Sequence, residues 1–365
     1  MSGMKVVKFD NKRSPEFFKE LSKRVNAYFK EKKISKYGDS RMKVKTVFML
    51  CLYLVPFILM LAGVLSGTLL IVLTWAVMGI GMAGIGLSVM HDACHGSYSK
   101  NKKVNKFVGG VMHILGGNDT NWKIQHNVLH HSFTNIDGHD EDIDTNGLMR
   151  FSPNQERKSM HRFQVFYAPI LYGLMTFFWF IAKDFLGLKR YQDQDLIKTQ
   201  ATTYKTEVRK LIISRIFYIG VFLVLPIALV NMAWWGTILG FCLMHFIAGL
   251  SLALIFQPAH VITDTEFVVP NEDLSVENHW AIHQMKTTAN FANNSKAFTW
   301  FVGGLNHQVE HHLFPNVCHV HYPDLSKIVK ATAAEYDVPY LQEKTFFGAL
   351  RSHFTMINRL GKGKI

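Results

Sequence analysis

Four long apolar runs dominate this chain and leave few architectures open; among them only the third carries a charged residue, Arg215. They cover residues 46–66, 68–90, 211–230 and 233–256. At 1.5 Å per residue, a helix of about 20 residues matches the roughly 30 Å hydrocarbon thickness of a bilayer. Inside lipid every backbone N–H and C=O must be paired within the segment, so such runs read as transmembrane helices. Almost nothing separates the first from the second, and only Asn231 and Met232 separate the third from the fourth. They therefore form two hairpins. Gly79, Gly81, Gly84 and Gly86 in the second run predict close approach of another helix.

Composition supports this reading. Of 365 residues 48% are apolar and only 18% charged, too few charges for a soluble chain of this length. The formal net charge of +13 accompanies membrane spans, so it points to contact with anionic membrane lipid and not to nucleic acid. Much of it lies in residues 1–45, a basic segment too polar for a signal peptide. Phe17, Leu21, Val25 and Phe29 recur there at helical spacing and predict an amphipathic helix on or near the bilayer. The four cysteines (Cys51, Cys94, Cys242 and Cys318) form no metal-binding spacing and read as reduced thiols.

A fifth apolar stretch, 163–185, raises a parity question. The basic N-terminus places residue 1 in the cytoplasm, and the first hairpin returns the chain there at His91. Were 163–185 to cross, the histidines near His91 and near His311 would face opposite sides. Its flanks are basic on both sides, with Arg157, Lys158 and Arg162 before it and Lys189 and Arg190 after. The expectation is an interfacial or re-entrant segment. The fold class expected is thus all-α and integral to the membrane: a basic segment 1–45, a membrane domain 46–325 with four spans, and a helical C-terminal tail 326–365. Both termini and a cytoplasmic helical cap lie on the same side, facing the cytoplasm (from the inner membrane, if bacterial).

The 18 histidines carry the chemistry. His91 and His95 are four apart where the second span ends, so they share a helical face. His126 and His130 repeat the step, with His131 beside them. Gln308, His311 and His312 cluster at steps of three and four, and His260 follows the fourth span. An unactivated alkyl C–H bond offers no acidic proton and no electrophilic carbon, so acid–base or nucleophilic side chains cannot attack it. A redox metal that activates dioxygen can. Imidazole suits iron, zinc and copper. Eight ring nitrogens, from His91, His95, His126, His130, His131, His260, His311 and His312, exceed the four a single zinc takes and fit a pair of metals. Asp92 and Glu310, inside the clusters, are candidates to orient the rings, as are Asp137, Asp140, Asp142 and Asp144. His245 lies mid-span, too far from His260 to share a site, and is expected to hydrogen-bond between helices. His279 and His283 sit in a polar stretch and are expected to be structural or to line a channel. Trp122, Trp280 and Thr287 are candidate channel residues.

The sequences HDACH (91–95), HNVLHH (126–131) and GGLNHQVEHHLFP (303–315) resemble the three histidine boxes of membrane fatty acid desaturases, over roughly Thr46 to Tyr322. The glutamine opening the third box is similar to that of the front-end group, which desaturates between an existing double bond and the carboxyl end. It also resembles linoleoyl-CoA-type relatives. The resemblance implies two iron ions held by His91, His95, His126, His130, His131, His311 and His312, with His260 matching the family's additional histidine. It implies dioxygen as co-substrate, a CoA-ester or lipid-linked fatty acyl substrate and a cis double bond as product. Gln308 stands where other desaturases have histidine, so direct, water-mediated or purely hydrogen-bonding roles stay open for it. No haem-binding HPGG motif is present and residues 1–45 are too few for a haem domain. Electrons are expected from a separate ferredoxin, cytochrome b5-like protein or flavin reductase. A lipid or alkane hydroxylase or ketolase is the alternative within enzymes. A metal transporter would place ligands at mid-membrane on broken helices, not beyond the helix ends.

Overall fold

A computed structural model describes residues 6–365, so the first five residues of the basic segment, Lys5 among them, lie outside the described residues. The chain is mostly helical. Among the described residues, five helices are long and apolar enough to cross a membrane: Ser40–Leu61, Thr68–Cys94, Ser159–Asp193, Tyr204–Leu229 and Trp234–Ala259. Each of the four expected runs falls in one of them. Several helices extend into polar flanks, because Lys, Arg and Glu are good helix formers and propagation past the apolar core is cheap. The stretch 163–185 lies within the 35-residue helix Ser159–Asp193. The all-α expectation needs one amendment. Two short parallel ladders tie distant segments together, Lys8–Phe9 with Ser275–Val276 and Ala289–Phe291 with Leu341–Glu343.

Backbone contacts divide the chain into two compact units. The first comprises Ser40–Ile124 and Pro169–Leu254. Its core is set by small residues. A Cβ on Gly81 would lie 2.8 Å from the backbone nitrogen of Tyr53, and one on Gly79 would lie 2.6 Å from the carbonyl oxygen of Met244. The helices touch backbone to backbone at these glycines, as the sequence predicts. A polar network crosses the apolar interior. His245 faces the Tyr218 hydroxyl at 2.9 Å and the Thr176 hydroxyl at 3.2 Å, the interhelical role expected of it. The carboxylate of Asp184 accepts from Arg215 and from Asn121. Pairing is what makes these polar groups tolerable in an apolar surround.

The second unit comprises the described residues through Asp39, then Gln125–Ala168 and Ile255–Ile365. Helix Pro15–Lys32 buries Phe17, Leu21 and Val25 against Ala281, Met285, Val309, Leu313 and Leu325. The apolar stripe expected to meet the bilayer is therefore covered by protein. The reason is visible in the partners: the third box and helix Tyr322–Glu335 offer a complementary apolar face. Arg24 fixes the register by pairing with Glu335 at 2.6 Å. The last helix, Phe346–Lys362, carries His353, which donates to the Val261 carbonyl at 2.7 Å.

Candidate metal centre

The second box is not a plain α-helix. Residues Lys123–His130 form a π-helix, which continues as α-helix from His131. In an α-helix His131 would stand roughly 140° around the axis from His126. With i→i+5 hydrogen bonding the fifth residue returns close to the first. This widening lets His126, His130 and His131 act from one face, which the four-residue spacing alone predicted only for the first two. The segment leading into the first box, Ile85–Met90, is likewise a π-turn.

Two ring clusters form in the second unit. In the first, the Nε2 atoms of His126, His131 and His311 converge. His131 lies 2.9 Å from His311 and 3.2 Å from His126, and His311 lies 3.4 Å from His126. Nitrogens at right angles around a first-row metal, each at roughly 2.1 Å, stand roughly 3 Å apart. In the second cluster, ligand atoms of His130, His260 and His312 lie within 4.8 Å of one another. Every ring in both clusters is buried. The two sets adjoin through His131 and His312, whose rings stack at 4.3 Å.

Four of the six rings, those of His130, His260, His311 and His312, are held from behind. His130 Nδ1 donates to Asp140 at 3.0 Å, and His260 Nδ1 to the Thr287 carbonyl at 3.3 Å. The amide oxygen of Gln284 accepts from His312 Nδ1 at 2.8 Å, and His311 Nδ1 faces the Tyr322 hydroxyl at 3.2 Å. With Nδ1 engaged, Nε2 is the nitrogen turned inward. On His130 and His260 that Nε2 is buried and has no hydrogen-bond partner. Such an atom costs about 1–3 kcal/mol unless something satisfies it. A metal ion does so, and carboxylate or carbonyl support on the far nitrogen is the usual arrangement behind a metal-bound imidazole. The residues present therefore fit a metal site. Burial opposes protonation of His130, but the carboxylates of Asp140 and Asp142 outweigh it and raise its pKa. Burial, then the neighbouring His130, lowers that of His260 well below the usual value.

In the first unit His91 and His95 meet edge to face at 4.7 Å, and Trp122 packs against both rings at 5.4 and 5.5 Å. Asp92 approaches His91 Nδ1 at 3.6 Å.

Other expected residues fall as follows. Asp140 orients His130, and Asp142 lies 3.4 Å from His130 and 3.6 Å from His126. Glu310 accepts from Tyr340 at 2.9 Å and Asn290 at 2.8 Å, and its carboxylate lies 3.7 Å from His307 Nδ1. Gln308 is fully buried with neither amide atom hydrogen-bonded. Thr287 supplies its carbonyl to His260. Trp280 donates from its indole to the His131 carbonyl at 3.1 Å. His283 donates to the Thr134 carbonyl at 2.8 Å, and His279 caps its helix by accepting from Ala281. Gln284, Thr134 and Tyr322 escaped the sequence reading. Gln284 alone lay within reach, inside the polar helix of His279 and His283, but nothing in spacing links it to a residue 28 positions away.

Long apolar helices together with buried imidazoles backed by carboxylate, amide and carbonyl groups fit a histidine-rich membrane protein with a metal site. The profile of the fatty acid desaturase family matches residues 66–344, and the chain belongs to that family. It is 36% identical over 360 residues to the sn-1 linoleoyl-lipid 6-desaturase of Synechocystis sp., covering 98% of each chain. The Arthrospira platensis protein of the same name is 36% identical over 348 residues, 94% of this chain and 92% of that one. The acyl-lipid (8-3)-desaturase of Physcomitrium patens is 34% identical over 98% of this chain and 74% of its own length. The chain is accordingly a fatty acid desaturase, an oxidoreductase of lipid metabolism.

Proposed function

We propose that this enzyme is an oxygen-dependent front-end desaturase. It inserts a cis double bond between an existing one and the carboxyl end of a lipid-linked linoleoyl-type chain, at the position named for its cyanobacterial relatives. The observation that carries the metal chemistry is the pair of buried, unpartnered Nε2 atoms on His130 and His260, beside the convergent nitrogens of His126, His131 and His311. Two irons are assigned to His91, His95, His126, His130, His131, His260, His311 and His312. The family motif adds the first-box pair to the rings described above.

When bound, the irons supply activation of dioxygen and removal of hydrogen from the acyl chain. The protein contributes everything else. Asp140, Thr287, Gln284 and Tyr322 fix which ring nitrogen faces the metals. Gln308, whose buried amide has no protein partner, takes a weak or water-mediated position at the site. Asp92 orients His91. Trp122 closes off His91 and His95 and, with Thr287, borders the acyl channel. Four helices span the membrane, and Ser159–Asp193 is embedded beside Trp234–Ala259 without completing a crossing. All boxes and both termini then face the cytoplasm, where a separate carrier delivers electrons.

Expression in a host that makes linoleoyl lipids but lacks this desaturase tests the reading. Chromatography of the lipid fatty acids should show a new triene with its added bond at carbon 6. Hydroxylated chains alone would overturn desaturation, and a product formed only from CoA esters would overturn the lipid-linked substrate.

A further inference from the structure

Turnover needs electrons from outside the protein. One dioxygen takes two hydrogens from the acyl chain, two electrons and two protons from the surroundings, and leaves as two waters. The electrons arrive singly from a reduced carrier, which is oxidised as the metal centre is reduced. Tunnelling slows steeply with distance, so a docked carrier must bring its redox group close to an atom bonded to a ligand.

Trp280 meets that need. The residue is only half-buried. Its Nε1–H donates to the main-chain carbonyl of His131, the residue whose Nε2 lies 2.9 Å from that of His311. One hydrogen bond and one residue thus separate this half-buried tryptophan from the ring cluster. The geometry is fixed from several directions. Gln284 donates to the same carbonyl at 3.2 Å, the Trp280 backbone N–H donates to Asn11 at 3.1 Å, and Phe18 packs edge-on at 5.8 Å. The ring packs against Phe18, and the helix-capping His279 is its chain neighbour.

The N-terminal segment beside it carries an excess of basic residues, of which Arg13 pairs with Glu277, Lys23 with Glu20, and Arg24 with Glu20 and Glu335. The stretch through Asn11 and Phe18 carries Lys8, Lys12, Arg13, Lys19, Lys23 and Arg24 against Asp10, Glu16 and Glu20. Lys8, Lys12 and Lys19 are exposed. Opposite charge steers and orients electron-transfer partners. We propose that Trp280 is the point at which electrons enter, and that a small acidic one-electron carrier docks over it on the face bearing Lys12 and Lys19. This rests on the two-iron reading above.

The test follows reduction of the oxidised iron by its absorbance in purified, iron-loaded protein. One reductant is a reduced plant-type ferredoxin, as the acidic carrier; the other is reduced methyl viologen, too small to need a docking face. Trp280→Leu should slow reduction by ferredoxin by roughly tenfold and leave reduction by viologen, and the iron content, unchanged. Equal slowing with both reductants would show that the indole only packs the site, and no slowing with either would equally overturn the proposal. Lys12→Glu with Lys19→Glu leaves the core untouched; it should weaken ferredoxin binding and flatten its salt dependence. Unchanged binding would remove the docking face. Wild-type protein that takes up no iron would sink the parent reading, whereas normal viologen reduction with an indifferent Trp280→Leu would sink this inference alone.

Discussion

At the scale of single residues, the account turns on which nitrogen each imidazole presents. Asp140 holds His130 by Nδ1, and both partners are fully buried. Loss of such an outer contact typically costs about 10–100-fold in metal affinity or activity. Asp140→Asn should therefore lower iron occupancy, read by metal analysis of membrane-extracted protein, while His130→Ala should abolish the new triene and leave the protein in the membrane. A second residue gives a pH signature. Burial pushes His353 down to about 4 from an ordinary value of 6.5. Its folded pKa is below its unfolded one, so the unfolded chain binds more protons between those values. Stability is complete above pH 6.5 and falls by about 3 kcal/mol as pH drops through 4. Hydrogen exchange of helix Phe346–Lys362 should report this, and His353→Asn should flatten it. The ligand spacing was legible because i, i+4 steps are a local property of the helix. Asp140 was legible only as one of four acids, and Gln284 not at all, because the fold and not the sequence interval brings them to the rings.

At the scale of elements, helix existence and type were plain from long apolar runs of spanning length, and close helix approach from the glycines of the second run. Gly81→Val puts its side chain into the backbone at Tyr53. Overpacking of this kind costs about 1–3 kcal/mol, so the melting temperature in detergent should fall, with Gly86→Ala as a milder control because only a side chain stands 3.4 Å away. The N-terminal helix shows where local pattern misleads. Its stripe announced an amphipathic helix but not what would cover it, since lipid and protein are equally good partners for an apolar face. Leu21, wholly buried against the third box, supports the protein partner. Leu21→Ala should cost roughly 2–5 kcal/mol and lower thermal stability even in detergent, whereas a stripe resting on lipid would tolerate the change. The π-turns at the first two boxes had no signature in spacing, because an inserted residue in a helix depends on what the helix packs against.

At the scale of the whole molecule, the proposed four-span arrangement makes a labelling prediction. A cysteine at Met232 should react with an impermeant reagent from the outer face, and one at Lys344 only after the membrane is opened. Labelling of both from one side would break the parity argument that keeps Ser159–Asp193 from crossing. The sequence could number the apolar runs but not decide which of them cross, because length and composition qualify five. The proposed chemistry requires that buried imidazoles hold a pair of redox irons. Anomalous diffraction from the iron-loaded protein at the iron edge measures this directly. Two peaks are predicted, one facing the Nε2 atoms of His126, His131 and His311 and the other facing those of His130, His260 and His312. A single peak, or iron bound away from these rings, would contradict it.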